Sequence, residues 1–217
     1  MEKSSKQVIN EIFEEAIHRD PSNKKEWVVL VDGDPHQIKI FKKLSKKFSV
    51  KLTIICDVIH VLEYLWKAGK ILSDEKKTAL WVSDKLSQIL AGKSSFVASG
   101  IRRSATCRKL QKTVREPVDS CAKYLLNHSG YLHYDEYLKK GYPVATGVIE
   151  GACRYLVKDR MDITGARWGI KSAEAILKMR AIKISDDFSE YWKFYEQQQC
   201  MINHKSLYKN PAILENQ

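Results

Sequence analysis

Three acidic residues lie where the sequence pattern places the end of a strand or the start of a helix. Asp32 follows the apolar run 27–31, Asp57 follows a second such run, and Glu150 interrupts the small and apolar residues 148–153. An unpaired carboxylate is costly to bury, so Glu150 needs a metal or a cationic partner. Arg154, Lys158 and Arg160 follow it on the same predicted helix. An acid with cations close behind it is the arrangement that a metal-dependent phosphate site needs.

Asp32 also has a plain structural interpretation, because Asp-Gly is a common turn dipeptide and Gly33 follows it. The alternative is functional, since parallel sheets present reactive groups at the carboxyl ends of their strands. Asp34 is assigned a structural role: it is a suitable N-cap for the helix that Pro35 begins.

The other acids have structural alternatives as well. We favour Asp57 as the N-cap of the next helix. His60 stands three residues later in an apolar helix, where a hydrogen-bonded core histidine is commoner than a ligand. Glu150 lies one helical turn before Arg154, so an i, i+4 ion pair could satisfy its charge. Both interpretations of each residue stay open from the sequence alone.

The elements that must position these residues follow from hydrophobic periodicity. Residues 27–31 and 50–56 are apolar runs rich in β-branched residues, which predict two buried strands. Two strands do not form a stable sheet alone, so a further strand is missing or unrecognised. Helices are predicted over residues 3–19, from 35 onward, 58–68, 74–90, 94–115, 117–127, 132–140, 147–160, 170–184 and 187–208.

The order of these elements predicts an α/β, helix-rich chain. Residues 1–72 would form a core of two strands with helices, residues 73–142 a helical insertion, and residues 143–217 the C-terminal helices that carry Glu150.

Charge indicates the kind of partner. The chain has 217 residues, 44% of them hydrophobic, and 37 Lys and Arg against 26 Asp and Glu give a formal net charge of +11. An extended polyanion is therefore attracted, and DNA is the first expectation, although such an excess also serves solubility. The candidate DNA-contacting residues are Arg102, Arg103, Lys158, Arg160, Arg167 and Trp168.

Other sequence features indicate the compartment. The five cysteines include no C-x-x-C pair, and the first twenty residues mix charges with apolar residues, unlike a signal peptide. No apolar run is long enough to span a bilayer. The sequence predicts a cytoplasmic, nucleoid-associated protein with no membrane partner.

A set of motifs carries a resemblance to a known family. They are Val31-Asp32-Gly33, His36-Gln37, the run 57–66, the run 147–154, Lys158-Asp159-Arg160-Met161 and Thr164-Gly165-Ala166-Arg167-Trp168. Through them the chain resembles the DDE transposases of bacterial insertion sequences, and most closely the ISKra group.

The resemblance implies a partial RNase H-like fold with an inserted helical domain, and DNA cleavage and strand transfer that depend on Mg²⁺ or Mn²⁺. In that family three acids bind two metal ions. Asp32 matches the second acid and Glu150 the third, so both are predicted catalytic residues and metal ligands. Asp57 and His60 match a short motif that supports the site, and Arg154 is placed with them.

The family's first acid belongs to a strand that would precede this chain. We therefore expect a C-terminal portion of a transposase that is inactive alone, with transposon ends and target DNA as partners and a second copy or full-length transposase beside it. One alternative is a non-catalytic DNA-binding remnant. Another is a small doubly wound nucleotide-binding protein, which is supported by the strand-Asp-Gly-helix order alone and disfavoured because there is no Gly-rich phosphate loop.

Overall fold

The computed structural model describes residues 3–163 and 165–205, with the backbone alone at positions 148, 150, 204 and 205. The chain divides into two compact units, Met1–Thr146 and Gly147–Gln217. Residues 1–72 and 73–142 both belong to the first unit. The division of this unit into a core and a helical insertion stays a prediction.

The first unit is built around two parallel strands, β1 (Trp27–Val31) and β2 (Leu52–Cys56). Their register pairs Trp27 with Leu52 and Val31 with Cys56. The strand predictions are confirmed, with β2 beginning two residues later than expected. The chain is thus helix-rich with a small parallel sheet.

Seven helices of the described residues accompany this sheet. They are α1 (Ser5–Arg19), α2 (Pro35–Lys47), α3 (Val58–Leu72), α4 (Thr78–Leu90), α5 (Ser94–Cys107), α6 (Lys112–Asn127) and α7 (Tyr134–Lys139). Single 3₁₀ turns at Glu75–Lys77 and Ser129–Tyr131 precede α4 and α7.

Local capping explains where three of the helices begin. The Ser4 side chain accepts from the Gln7 amide, and the Gln7 side chain bonds back to the Ser4 amide, which forms a capping box. Asp34 and Asp57 cap α2 and α3 through the amides two residues onward, as the sequence predicts. Their oxygens satisfy amides that the first helical turn leaves unpaired.

The boundary between α5 and α6 differs from the prediction. The predicted helix 94–115 ends at Cys107, because Lys109 adopts a positive φ of 50°. Pro117, predicted to separate two helices, lies inside α6. Proline fixes φ at a helical value, but at the sixth residue of α6 it lacks the N–H that would bond the Thr113 carbonyl oxygen.

The core joins the sheet to the helices that follow it. All three of Ile54, Ile55 and Cys56 are buried, and since successive residues of a strand point to opposite faces, both faces of β2 are covered. Helix α3 contacts both α4 and α6. The most deeply buried apolar residues are Ile55, Val61, Leu65, Ile89, Val118, Leu125 and Tyr134.

The second unit consists of α8 (Gly147–Cys153), a π-helical turn (Arg154–Lys158), α9 (Asp159–Met161), α10 (Ile170–Ile184), α11 (Phe188–Cys200) and a second π-helical turn (Met201–Lys205). The prediction for α10 is confirmed at both ends. None of the unit's described side chains is buried.

The π-helical turn interrupts the helix predicted over 147–160. Its wider winding removes ordinary i to i+4 bonding, and the Arg180 guanidinium of α10 donates to the carbonyl oxygens of Tyr155 and Leu156. This contact ties α10 to the turn.

The buried carboxylate of Asp20 accepts hydrogen bonds from the residues that connect α1 to β1. The Oδ2 of Asp20 accepts from the Trp27 indole N–H and the Lys25 amide, both at 3.0 Å, and its Oδ1 accepts from the Lys24 amide at 3.1 Å. The Trp27 hydrogen bond and then the two amides lower the Asp20 pKa from its ordinary 3.8, against the opposing effect of burial.

We predict that Asp20→Asn is destabilising near neutral pH and that the difference from the wild-type protein narrows in acid. A lowered native pKa stabilises the fold above the unfolded pKa of 3.8 and loses that contribution as the pH falls through the native value. Urea unfolding at about pH 6 and about pH 3 checks this. Glu14→Gln, an exposed change on α1, is the control. Equal differences at both pH values would contradict the prediction.

Candidate functional site

Asp32 lies immediately after β1, and its side chain is exposed. Its Oδ1 accepts from the Asp34 amide at 2.9 Å, which is a local turn bond, and no protein hydrogen bond to its Oδ2 is found among the described residues. The turn fixes the direction of the carboxylate while one oxygen stays open to solvent. Asp32 can therefore bind a cation without first breaking a structural contact.

The turn after Asp32 requires a glycine. Gly33 has a φ of +96°, and a Cβ there would lie 3.0 Å from the Tyr124 ring and hydroxyl and 3.2 Å from His128 Nε2. Any side chain would be strained by the backbone angle and would clash with α6. The Asp-Gly pair is thus a turn, as the structural interpretation holds, and it also presents an exposed carboxylate.

Tyr124 and His128 are contacts of this turn that sequence reasoning missed. The Tyr124 hydroxyl donates to the Asp32 carbonyl oxygen at 3.0 Å, and His128 Nε2 lies 2.9 Å from the Gly33 carbonyl oxygen. The sequence indicates only that a turn begins at His128. Nothing in the sequence indicates which segment Tyr124 and His128 contact.

Asp57 is used structurally. It is 2% exposed, its Oδ1 accepts from the Ile59 amide at 2.9 Å, and its Oδ2 accepts from the Thr146 hydroxyl. The favoured N-cap role is confirmed. With both oxygens occupied, Asp57 supports the strand end and is unsuited to act as a free metal ligand.

His60 does not join Asp57. Its side chain is 40% exposed, and its Nδ1 is 3.6 Å from Glu63 Oε2, beyond hydrogen-bond distance. The interpretation of His60 as a buried core residue is therefore wrong. Its position on the first turn of α3 leaves the ring on the helix surface.

The last residue of β2, Cys56, is buried. Burial raises the pKa of the Cys56 thiol to about 11, with a smaller contribution from the negative charges of Asp32 and Asp57. Burial likewise raises the pKa of Tyr134, whose hydroxyl donates to the Cys56 carbonyl oxygen at 2.6 Å. Burial and the raised pKa both disfavour the reactive thiolate, so Cys56 is assigned to the core.

The structure describes only part of the region around the predicted third acid. The Glu150 side chain lies outside the described residues, so its pairing with Arg154 stays a prediction. Arg154 is exposed at the start of the π-helical turn. A cavity of about 750 Å³ in this unit is lined by Ile149, Cys153, Arg154, Lys158, Asp159, Asp162 and Ile163.

Two other predicted DNA-contacting residues form a stacked pair. The Arg160 guanidinium lies 5.2 Å from the centre of the Trp168 ring, within cation–π range. Trp168 is half-buried, and its indole N–H is buried with no hydrogen-bond partner among the described residues. Arg167 is exposed, while Thr164 of the same motif lies outside the described residues.

Arg102 and Arg103 are exposed on α5. Arg102 lines a cavity of about 720 Å³ whose other residues belong to α6: Lys112, Thr113, Arg115, Glu116, Asp119, Ser120 and Lys123. Arg115 is paired with Asp119 at 2.9 Å. Basic residues from two successive helices thus share one concave surface.

No metal-binding group of three His, Cys, Asp or Glu side chains occurs among the residues that the structure describes. Nor does that part of the chain contain a helix long and apolar enough to cross a membrane. No family model, no curated protein and no solved structure matches the chain. The resemblance to DDE transposases therefore stays a prediction.

We predict that Thr146→Val lowers the free energy of unfolding by about 1–3 kcal/mol, because it leaves a buried oxygen of Asp57 without its donor. Urea unfolding measures the loss. Thr106→Val is the matched control: Thr106 is exposed and its hydroxyl bonds within its own helix, so a change below about 0.5 kcal/mol is expected. Equal losses in the two variants would contradict a special role for the Asp57 contact.

Proposed function

We propose that the chain carries the second and third catalytic acids of a DDE transposase, an enzyme that cleaves DNA and joins transposon ends to target DNA. One observation carries the proposal. Asp32 presents a carboxylate oxygen to solvent at the carboxyl end of a strand in a parallel sheet, where a turn fixes its direction. Such strand ends are where α/β sheets place functional groups.

The sheet supports assignment to an RNase H-like fold. Two parallel strands are joined by a helix, and each is followed by an acidic residue, Asp32 or Asp57. In the family the second acid follows a strand, a helical insertion comes next, and the third acid lies on a late helix. Asp32, helices α4 to α7 and Glu150 on α8 occur in that order.

The donor chemistry of Asp32 fits Mg²⁺ or Mn²⁺. Magnesium keeps several waters and is commonly held by one or two carboxylates together with substrate phosphates. Asp32 offers one open oxygen, whereas Asp57 offers none, so Glu150 and the family's first acid would complete the ligand set. When bound, the metal pair activates the attacking oxygen and stabilises the leaving one.

The residues of the chain have distinct parts in this reaction. Water attack on a phosphodiester would free a 3′-hydroxyl at the transposon end, and that hydroxyl would attack target DNA. Asp32 would hold a metal ion through its carboxylate, and the metal would supply the contact to the reacting phosphate, while Asp57 holds the neighbouring strand end. The exposed arginines contact DNA phosphates, which position the duplex without reading its sequence.

We predict that the chain binds Mn²⁺ and that Asp32→Asn weakens binding by at least about tenfold, since the carboxylate that it removes is a charged ligand. Isothermal titration calorimetry measures the affinity. Asp34→Asn removes a charge two residues away but keeps an N-cap acceptor, so it is a matched control that should bind like the wild-type protein.

Equal Mn²⁺ affinity of Asp32→Asn and the wild-type chain would contradict the metal assignment. Glu150→Gln is expected to behave like Asp32→Asn. In a strand-transfer assay with supercoiled plasmid, the chain alone is expected to show no Mn²⁺-dependent joining, and joining that both variants abolish would overturn that expectation.

The cavity between α5 and α6 favours a second candidate, a DNA-binding protein without catalysis. Four cationic and two acidic side chains line this cavity. Arg115 and Asp119 pair with each other, which leaves three cationic side chains against one acidic side chain. DNA binding that persists in EDTA and survives Glu150→Gln, with no cleavage, would support this candidate over the transposase.

We predict that Arg102→Gln combined with Arg103→Gln weakens binding to duplex DNA of any sequence. The slope of log K against log salt should also become shallower, by about 1 for each phosphate that the variant no longer neutralises. Fluorescence anisotropy at several salt concentrations measures both quantities. Lys3→Gln is the control, because Lys3 is already paired with Glu11 at 2.8 Å. An unchanged slope in the double variant would contradict phosphate binding at α5.

A further inference from the structure

The turn after β1 and the C-terminal half of α6 contact each other through side chains that the proposed reaction does not use. We infer that α6 positions the Asp32 carboxylate and that Tyr124 and His128 are its positioning residues. The inference rests on the proposed function of Asp32. It gives α6, a helix of the predicted insertion 73–142, a direct role in positioning the candidate metal ligand.

Two successive backbone carbonyls of the turn are held from one helix. The Tyr124 hydroxyl donates to the Asp32 carbonyl oxygen at 3.0 Å, and the His128 ring meets the Gly33 carbonyl oxygen at 2.9 Å. Tyr124 and His128 are four residues apart, so they lie on the same face of α6. Both contacts therefore depend on the placement of a single helix.

The fit between the helix and the turn is close. A Cβ at Gly33 would lie within 3.2 Å of both Tyr124 and His128, so the turn packs directly against the two rings. Gly33 permits the positive φ without steric cost, and the contacts with the two rings add to the local bonds of Asp32 and Asp34 in holding that path. The helix and the glycine thus specify the path together.

The two rings are themselves fixed. Tyr124 stacks on Tyr64 with ring centres 4.3 Å apart, and its own ring lies 4.4 Å from that of His128. Both side chains are buried, and His128 Nδ1 lies 2.8 Å from the Tyr124 carbonyl oxygen. Burial raises the pKa of the Tyr124 hydroxyl, which therefore remains a hydrogen-bond donor at neutral pH. The same hydroxyl also contacts the Cys56 thiol.

The backbone contacts reach the carboxylate through the turn. Asp32 Oδ1 is bound to the Asp34 amide at 2.9 Å, so the orientation of the carboxylate follows the path of residues 32–34. Metal and catalytic groups must be held within about 0.5 Å of their working positions. Releasing one carbonyl of this turn therefore matters more for Asp32 than for the fold as a whole.

The test uses the full chain and four variants. Tyr124→Phe removes only the hydroxyl, and His128→Leu removes the ring nitrogens at similar volume. His128→Gln is the conservative variant, since its amide can still donate to the Gly33 carbonyl. Tyr64→Phe is the matched control: it changes the other ring of the stack, whose hydroxyl bonds no described residue of the turn.

Two readouts separate positioning from general stability: amide hydrogen exchange at Gly33, Asp34 and His36 compared with the core of α3, and Mn²⁺ affinity. We expect exchange at the turn to rise about tenfold in Tyr124→Phe and in His128→Leu, the equivalent of one hydrogen bond, with α3 unchanged. Mn²⁺ affinity should fall in the same two variants. Tyr64→Phe and His128→Gln should stay close to the wild-type chain in both measurements.

The inference is overturned if the turn exchanges normally in both Tyr124→Phe and His128→Leu, if α3 and the turn loosen together, or if the turn loosens and Mn²⁺ affinity does not change. Failure of the proposed function looks different. In that case Asp32→Asn binds Mn²⁺ as well as the wild-type chain does, and Asp32 is not a metal ligand for α6 to position. Faster exchange confined to the turn in Tyr124→Phe and His128→Leu would still establish that α6 holds the turn.

Discussion

The parallel pairing of β1 with β2 is the constraint on which the rest of the first unit depends. Parallel strands cannot be joined by a tight turn, so α2 must cross from the end of β1 to the start of β2. The same pairing brings both carboxyl ends to one edge, with Val31 opposite Cys56, and therefore sets Asp32 and Asp57 on neighbouring strand ends. Their different environments then separate their roles: Asp32 is exposed, whereas both oxygens of Asp57 are consumed by a helix amide and the Thr146 hydroxyl.

Local features were predictable from the sequence because their causes are local. The β-branched run of β1, the Asp34 and Asp57 caps and the full span of α10 all follow from neighbouring residues. The break after Cys107 was missed because it depends on a positive φ at Lys109, a non-glycine residue. Pro117 was expected to separate two helices, yet its φ is compatible with a helix and α6 continues through it.

The contacts that complete the candidate site could not be predicted in the same way. Tyr124 and His128 reach a turn more than ninety residues away along the chain, and Tyr134 reaches Cys56 from a similarly distant segment. No periodicity encodes which buried hydroxyl meets which carbonyl, because that pairing is decided by how α6 and α7 pack on the sheet. A tyrosine on an apolar helical face gives the same sequence signal whether its hydroxyl is used or exposed.

A two-stranded sheet is not stable by itself, so other elements must pack against β1 and β2. Helices of the range 73–142 supply this packing. Residues of β2 are buried on both faces, and α3 packs on α4 and α6. Tyrosine hydroxyls from α6 and α7 bond the carbonyl oxygens of Asp32, just after β1, and of Cys56, the last residue of β2. Unpaired carbonyls at a buried strand end are costly, so these hydroxyls satisfy groups that another strand or water would otherwise have to satisfy. The helices α4 to α7 therefore share one hydrophobic core with the sheet. In physical terms the segment is part of the scaffold that holds Asp32.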